Sequence, residues 1–261
     1  MKKTIYRFFL FIIFLFLYSP IFLLIANSFN SSKSRSVWGG FTLKWYKLLF
    51  TDYSILRSVE STILIAIVSS AIAAVLGTLA CVGMVNSKKF FQNTLINLNN
   101  IPMVNPDIVT GISAMIFFIA IYKITGLFRP GLSTLIIAHS TFCAPYVFLS
   151  VLPKIRQVTP QISEAAQDLG CTPFQAFRKV LLPEITPGIV TGVIMSFAMS
   201  IDDFTISYFT SGNVQTLPLA IYSMTRRSIS PEINALSTIF FLAILAILII
   251  INLISDDVEW I

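Results

Sequence analysis

Six long apolar stretches, separated by shorter polar or mixed segments, set the pattern of this chain. The first runs from Phe8 to about Ala26 and the second from about Val59 to Val85. The third spans Ile108 to Tyr122, with a proline-containing approach that begins at Ile101. The fourth covers Leu132 to Leu152, the fifth about Pro187 to Phe209, and the sixth Ile233 to Ile254. A bilayer core about 30 Å thick needs roughly 20 apolar residues in a helix to cross it. Lipid offers the backbone no hydrogen-bond partner, so such runs are expected to be helical. The alternation that marks membrane β-strands is absent. The pattern therefore predicts an all-α integral membrane protein with six transmembrane helices, forming a single domain over residues 1–261.

Composition agrees. The 261 residues are 56% hydrophobic and 11% charged, whereas soluble domains carry about a quarter charged residues. The basic start (Lys2, Lys3, Arg7) before an apolar run also describes a signal peptide. That run is long, however, and no small-x-small cleavage site follows it, so an uncleaved first membrane helix is expected. The net charge of +6 is accounted for by loop Lys and Arg side chains meeting lipid headgroups, without a nucleic-acid partner. Cys81, Cys143 and Cys171 fit no metal or disulfide spacing and are expected to be structural. His139, the single histidine, cannot build a metal site alone, and a structural hydrogen bond to a neighbouring helix is expected of it. Most of the 23 phenylalanines are expected on lipid-facing or packing surfaces. No G-x-x-x-x-G-K-[ST] phosphate loop occurs, so the chain is not itself an ATPase. No nucleophile with a base, nor any acid–base cluster, marks an enzyme.

Loop charge leaves the orientation open. With the N-terminus inside, the inner segments hold Lys2, Lys3, Arg7, Lys88, Lys89, Lys154, Arg156, Arg178 and Lys179. The outer segments hold Lys33, Arg35, Lys44, Lys47, Arg57, Lys123, Arg129, Arg226 and Arg227. The positive-inside rule is thus tied.

Between the fourth and fifth runs, residues 153–183 read PKIRQVTPQISEAAQDLGCTPFQAFRKVLLP. Local signals suggest two short helices separated by a turn. Thr159-Pro160 opens the first, with proline where no N–H is needed. Gly170 suits a helix exit at positive φ. Thr172-Pro173 starts the second helix and Pro183 is expected to stop it. Such a helix-turn-helix can press into a groove on a partner.

The same residues resemble the EAA loop of ABC importer permeases, with the pattern E-A-A, three residues, G, nine residues, I, one residue, L-P. Glu164, Ala165, Ala166, Gly170, Leu182 and Pro183 match it, and Val180 replaces the isoleucine. The resemblance implies the type I importer permease fold, with the loop in the cytoplasm as the coupling element that docks on the ATPase. It also implies an inner-membrane, multi-pass protein with both termini cytoplasmic. This chain would bind no cofactor, ATP being used by the partner. The implied partners are a second permease, two copies of an ATP-binding subunit, and a periplasmic or extracellular binding protein.

Further segments resemble the C-type permeases of spermidine/putrescine importers. They are 27–32 (NSFNSS), 40–46 (GFTLKWY), 106–109 (PDIV), 196–203 (SFAMSIDD), 217–224 (LPLAIYSM) and 230–236 (SPEINAL). A polyamine needs carboxylates for its ammonium groups and aromatic faces for ammonium and methylene contacts. Asp107, Asp202 and Asp203 are the acids in or near spans, where ionisable groups usually face a bundle interior or water. Asp107 has two open roles, capping the third helix after Pro106 or lining a cation path. Asp202 and Asp203, adjacent on the fifth helix, would lie about 100° apart, so one of them is expected to face the path; the resemblance slightly favours Asp203. Trp45 and Tyr46 are expected either at the membrane interface or against substrate or the binding protein. The alternatives are another cargo, such as ferric ion or sulfate, on the same architecture, or a channel or membrane enzyme without the coupling function. The absence of Lys and Arg within the runs disfavours anions.

Overall fold

In the computed structural model, residues 2–33, 37–85, 87–158, 165–227 and 231–258 are described. They are almost wholly helical; among them the sole β-feature is an isolated bridge between Asn30 and Phe41. The helices are α1 (Lys2–Ser28), α2 (Lys44–Thr51), α3 (Tyr53–Val85), α4 (Lys89–Val104), α5 (Asp107–Thr125) and α6 (Leu132–Gln157). There follow α7 (Pro173–Ala176), a π-helical turn (Phe177–Leu181), α8 (Leu182–Asp202), α9 (Thr205–Thr210), α10 (Leu217–Arg227) and α11 (Pro231–Val258). Five spans, carried by α1, α3, α5, α6 and the continuous stretch Pro173–Asp202, are long and apolar enough to cross a membrane. The sixth apolar run forms α11, whose apolar part is described from Pro231 to Ala246.

Several boundaries differ from the sequence expectation. The second span starts at Tyr53, where the Asp52 carboxylate accepts from Ser54 N (2.8 Å) and Ile55 N (3.4 Å). The approach to the third span is a helix of its own, α4, with Pro102 inside it. Pro153 does not begin a loop, because α6 continues to Gln157. Pro183 does not stop a helix either. Leu182 N–H donates to Phe177 O, five residues back, and this wide turn accommodates a proline that has no N–H of its own to give. The helix then runs past Pro187 to Asp202 and ends there. Residues up to Phe209 belong to the separate short helix α9.

The chain packs as two compact units, Met1–Arg57 with Ala220–Ile250, and Ser58–Leu219 with Ile251–Ile261. In the first unit, α1 leaves its aromatic side chains exposed, Phe8, Phe11, Phe16 and Phe22 among them. In the second unit α6 is the enclosed helix, with Leu135, Cys143, Val147, Phe148 and Val151 buried.

The seam between α6 and α8 organises the second unit. Gly188, Gly192, Ser196 and Ser200 recur every four residues along one stripe of α8, where helix geometry aligns side chains. A Cβ on Gly192 would lie 2.8 Å from Val147 Cα, and one on Gly188 would lie 2.8 Å from Ser150 O. Farther along, Ser196 Oγ donates to Cys143 O (3.3 Å) and Cys143 Sγ donates to Ser196 O (3.4 Å). At the last step Ser200 meets His139. Each move of four residues along α6 is matched by four backwards on α8, so the helices run antiparallel. Gly77 of α3 closes on Val147 from another side, its Cβ position 2.8 Å from Val147 Cβ. Lipid tails are as apolar as leucine, so close approach of small residues and interhelical hydrogen bonds, rather than water exclusion, hold such helices together.

Replacing Gly192 with leucine should therefore destabilise the unit by at least the roughly 1–3 kcal/mol typical of overpacking. Thermal midpoints and the yield of monodisperse protein in detergent check this. Gly83→Ala, where an added Cβ meets nothing within 4 Å, should leave both unchanged or slightly improved.

Candidate functional site

The expected coupling residues divide between described and undescribed positions. Glu164 and the Thr159-Pro160 start lie outside the described residues. Ala165 and Ala166 begin a helical turn over residues 165–168. Cys171 N–H donates to Ala166 O (3.1 Å) and Gly170 N–H to Gln167 O (2.9 Å). This pair of bonds defines a Schellman termination, which needs a left-handed residue at its turn; Gly170 supplies it with φ +91°. The next helix is capped reciprocally. Thr172 Oγ1 accepts from Gln175 N (3.3 Å), and Thr172 N–H donates to Gln175 Oε1 (3.0 Å). Pro173 occupies the first helical position, as expected. Leu169 and Phe174 flank the turn with their side chains exposed. Leu182 and Pro183 are not in a separate loop helix. They are the first residues of α8, which joins the turn to the membrane span without interruption.

The aspartates gather at the far end of α8. Asp202 is its last residue and has an exposed side chain. The backbone becomes extended at Asp203 (φ −63°, ψ 118°), so the two acids do not share a helix. Instead, Asp203 folds inward, its side chain 7% exposed. Its Oδ1 accepts from Ile206 N (3.2 Å) and its Oδ2 from Ser207 N (2.8 Å). It thereby satisfies the first turn of α9, where a carboxylate is favoured by the orphan N–H groups. His139 Nε2 lies 3.5 Å from Asp203 Oδ2 and 3.0 Å from Ser207 Oγ, while Nδ1 lies 2.7 Å from Ser200 Oγ. The structural hydrogen bonds expected of His139 are present, and both run to neighbouring helical elements.

Asp107 stands at the start of α5, after Pro106 at the N-cap. Its side chain makes no capping bond and is exposed, which removes the side-chain capping role. The Gly111 Cβ position lies 3.3 Å from Thr205 O. Asp107 lies four residues earlier, about 6 Å along the helix, and so one turn from the residue that meets α9. Among the described residues neither Asp107 nor Asp202 has an ion-pair partner. Just beyond Asp202, the Phe204 and Tyr208 rings meet at a tilt of 38° with centroids 5.6 Å apart, and Tyr208 is exposed. Neither aromatic was among the expected site residues, although both follow the paired acids closely in the chain.

Trp45 and Tyr46 lie in the other unit, and the structure corrects the reading of Trp45. Trp45 is 4% exposed and donates from Nε1 to Asn30 O (2.7 Å). It is therefore neither a lipid anchor nor open to substrate. Tyr46 Oη pairs with Ser28 Oγ (2.7 Å), and its ring tilts on Phe29 at 5.3 Å. Asn30 Oδ1 accepts from Gly39 N (2.8 Å) and Ser32 N (3.1 Å), and Nδ2 donates to Val37 O (2.9 Å). The separate segments 27–32 and 40–46 thus form one buttressed cap at the end of α1. Among the described residues no group of three or more His, Cys, Asp or Glu side chains could hold a metal ion.

This architecture of apolar helices, with a helix-turn-helix fused directly to one span, has a clear family match. Residues 73–258 match the model for the binding-protein-dependent transport system inner membrane component. The chain belongs to that family. As such a permease it is a multi-pass inner-membrane transport subunit rather than an enzyme. It is 38% identical over 234 residues to the putrescine transport system permease protein PotI of Escherichia coli K12, covering 88% of this chain and 83% of that one. It is 36% identical to the spermidine/putrescine transport system permease protein PotC of the same strain, covering 94% and 91% respectively. The Haemophilus influenzae PotC is 32% identical, with 95% of each chain covered. A bacterial ABC transporter that imports alginate shares the fold at a TM-score of 0.75 and 16% identity, over 98% of this chain and 96% of its own. The MetNI methionine ABC transporter in inward-facing conformations does so at 0.64 and 20%, over 79% and 96%.

Trp45→Phe removes the indole N–H and with it the hydrogen bond to the Asn30 carbonyl, at a cost of about 0.5–1.5 kcal/mol. Faster limited proteolysis between residues 31 and 42, with a lower thermal midpoint, is the expected outcome.

Proposed function

We propose that this permease imports polyamines, spermidine or putrescine, as one of two membrane subunits of an ABC importer. The observation that carries this reading is the α8–α9 break, where the exposed Asp202 carboxylate, without an ion-pair partner among the described residues, precedes Phe204 and the exposed Tyr208. Asp202 and Asp107 supply charge for ammonium groups, while Phe204 and Tyr208 supply surfaces for ammonium and methylene contacts. Both acids are exposed in the isolated chain, and a second permease opposite them would enclose a path. The printed functions of the relatives, putrescine and spermidine/putrescine transport, support the same cargo. Asp202, rather than Asp203, is the carboxylate we assign to the path, because Asp203 is committed to the first turn of α9 and to His139.

The turn around Gly170 is the docking element for an ATP-binding subunit, with Leu169 and Phe174 presented outward as apolar contacts. We place this turn, and both termini, in the cytoplasm, with a solute-binding protein delivering cargo from the opposite side of the membrane. ATP binding and hydrolysis by two copies of the ATPase would move the turn. The continuous helix from Pro173 carries that motion toward Asp202.

Radiolabelled spermidine and putrescine uptake is the direct test, in cells lacking their own importer that express this chain with its neighbouring subunits. ATP-dependent uptake is expected, and Asp202→Asn should reduce it by tenfold or more. Robust assembly with uptake of neither polyamine would reject the cargo and point to another cation, such as ferric ion. Gly170→Val forces a β-branched residue to positive φ, a strain of about 1–2 kcal/mol, although nothing crowds the site. It should leave the complex assembled but lower the uptake obtained per ATP hydrolysed; an unchanged ratio would refute the coupling role.

A further inference from the structure

We propose that His139 is a positioning residue for the transport path, holding Asp203 inward so that Asp202 alone presents its carboxylate to the cargo. The inference rests on the polyamine reading for the cargo, but its geometry does not.

Two adjacent carboxylates at the end of a membrane helix would both be expected to turn toward water, because an ionised carboxylate is costly to bury without partners. Here they part. Asp202 is exposed, whereas the Asp203 side chain is 7% exposed and the His139 side chain 1%. Two backbone N–H groups of α9 satisfy part of the Asp203 carboxylate. The only side chain within 4 Å that can complement its charge, among the described residues, is His139 at 3.5 Å from Oδ2. A carboxylate beside Nε2 favours the tautomer with its proton on that nitrogen. The Ser200 hydroxyl then donates to Nδ1 (2.7 Å). Ser207 closes the network, with its N–H on Asp203 Oδ2 (2.8 Å) and its hydroxyl 3.0 Å from His139 Nε2. One imidazole from α6 therefore ties together the last turn of α8, the break and α9.

Without the imidazole, Asp203 keeps only its backbone donors in an enclosed position and gains by swinging outward. That movement displaces the break and adds the charge of Asp203 beside that of Asp202. The two nitrogens have separable duties, which side chains of different reach can distinguish. Glutamine places its amide nitrogen near the Nε2 position and can serve Asp203, whereas asparagine reaches only the Nδ1 position and serves Ser200.

The test uses the assembled transporter purified in detergent, treated with a water-soluble carbodiimide and a small amine nucleophile, with modified peptides quantified by mass spectrometry. In the wild type, Asp202 should be modified at least tenfold more than Asp203. His139→Asn should raise Asp203 modification fivefold or more, and His139→Gln should keep it low. Equal modification of the two aspartates in the wild type overturns the proposal even if His139→Asn fails to assemble. An assembled His139→Asn complex with Asp203 still protected overturns it too. A transport readout is independent of these. His139→Asn and Asp203→Asn should each raise the KM for polyamine more than they lower the maximal rate, and the double variant should be no worse than the worse single one. Losses that multiply would mean that His139 does not act through Asp203. Failure of the wild type to move polyamines would reject the cargo while the labelling ratio still decides the positioning role.

Discussion

The close approach of α6 and α8 is the constraint on which the rest of the second unit depends. In lipid two apolar helices gain nothing by leaving water, because there is no water to leave, and so their attraction comes from fit and from hydrogen bonds across the contact. Gly188 and Gly192 remove the side chains that would keep the backbones apart, and Val147 and Ser150 occupy the space released. Once the glycines have drawn the helices together, the next two steps of the stripe are polar. Ser196 exchanges hydrogen bonds with Cys143, and Ser200 reaches His139. The polar end of the seam is therefore a consequence of its glycine end. A helix pair held farther apart would leave His139 without Ser200, and the break after Asp202 without its anchor.

Much of this was legible in the sequence, for reasons specific to membranes. A run of apolar residues long enough to cross lipid has no alternative to helix, so the spans followed from the pattern, and the turn at Gly170 followed from its flanking Thr-Pro and Gly signals. What misled were the prolines. Pro153 and Pro183 read as helix boundaries because a proline inside an isolated helix loses a hydrogen bond and clashes with the preceding turn. Here α6 continues past the first, and a π-helical turn absorbs the second. The short helices α2, α4 and α10 are too brief or too polar to stand out against the spans. Trp45 is the clearest case. Its type and place in the sequence suggested an interface, but it is buried because Asn30, fifteen residues away, offers its carbonyl. The paired aspartates could be found from the sequence, yet their different fates could not, since those depend on His139, more than sixty residues earlier.

The route from the Gly170 turn to Asp202 follows from helix continuity. Pro173–Asp202 is a single stretch of 30 residues, about 45 Å at the rise of an α-helix. A long helix bends gently and kinks only where its hydrogen-bond ladder is interrupted. The π-helical turn at Phe177–Leu181 is such a place, and it lies between the Gly170 turn and the seam. Compliance is thus placed below the seam, while the segment from Gly188 to Ser200 is clamped against α6. A displacement of the turn would reach Asp202 by moving α6 and α8 together rather than by sliding one along the other, since sliding would drive Val147 and Ser150 into backbone that has no room for them. The same packing that stabilises the unit therefore makes it move as a block, and the network at His139 carries that block's position to the carboxylate it leaves exposed.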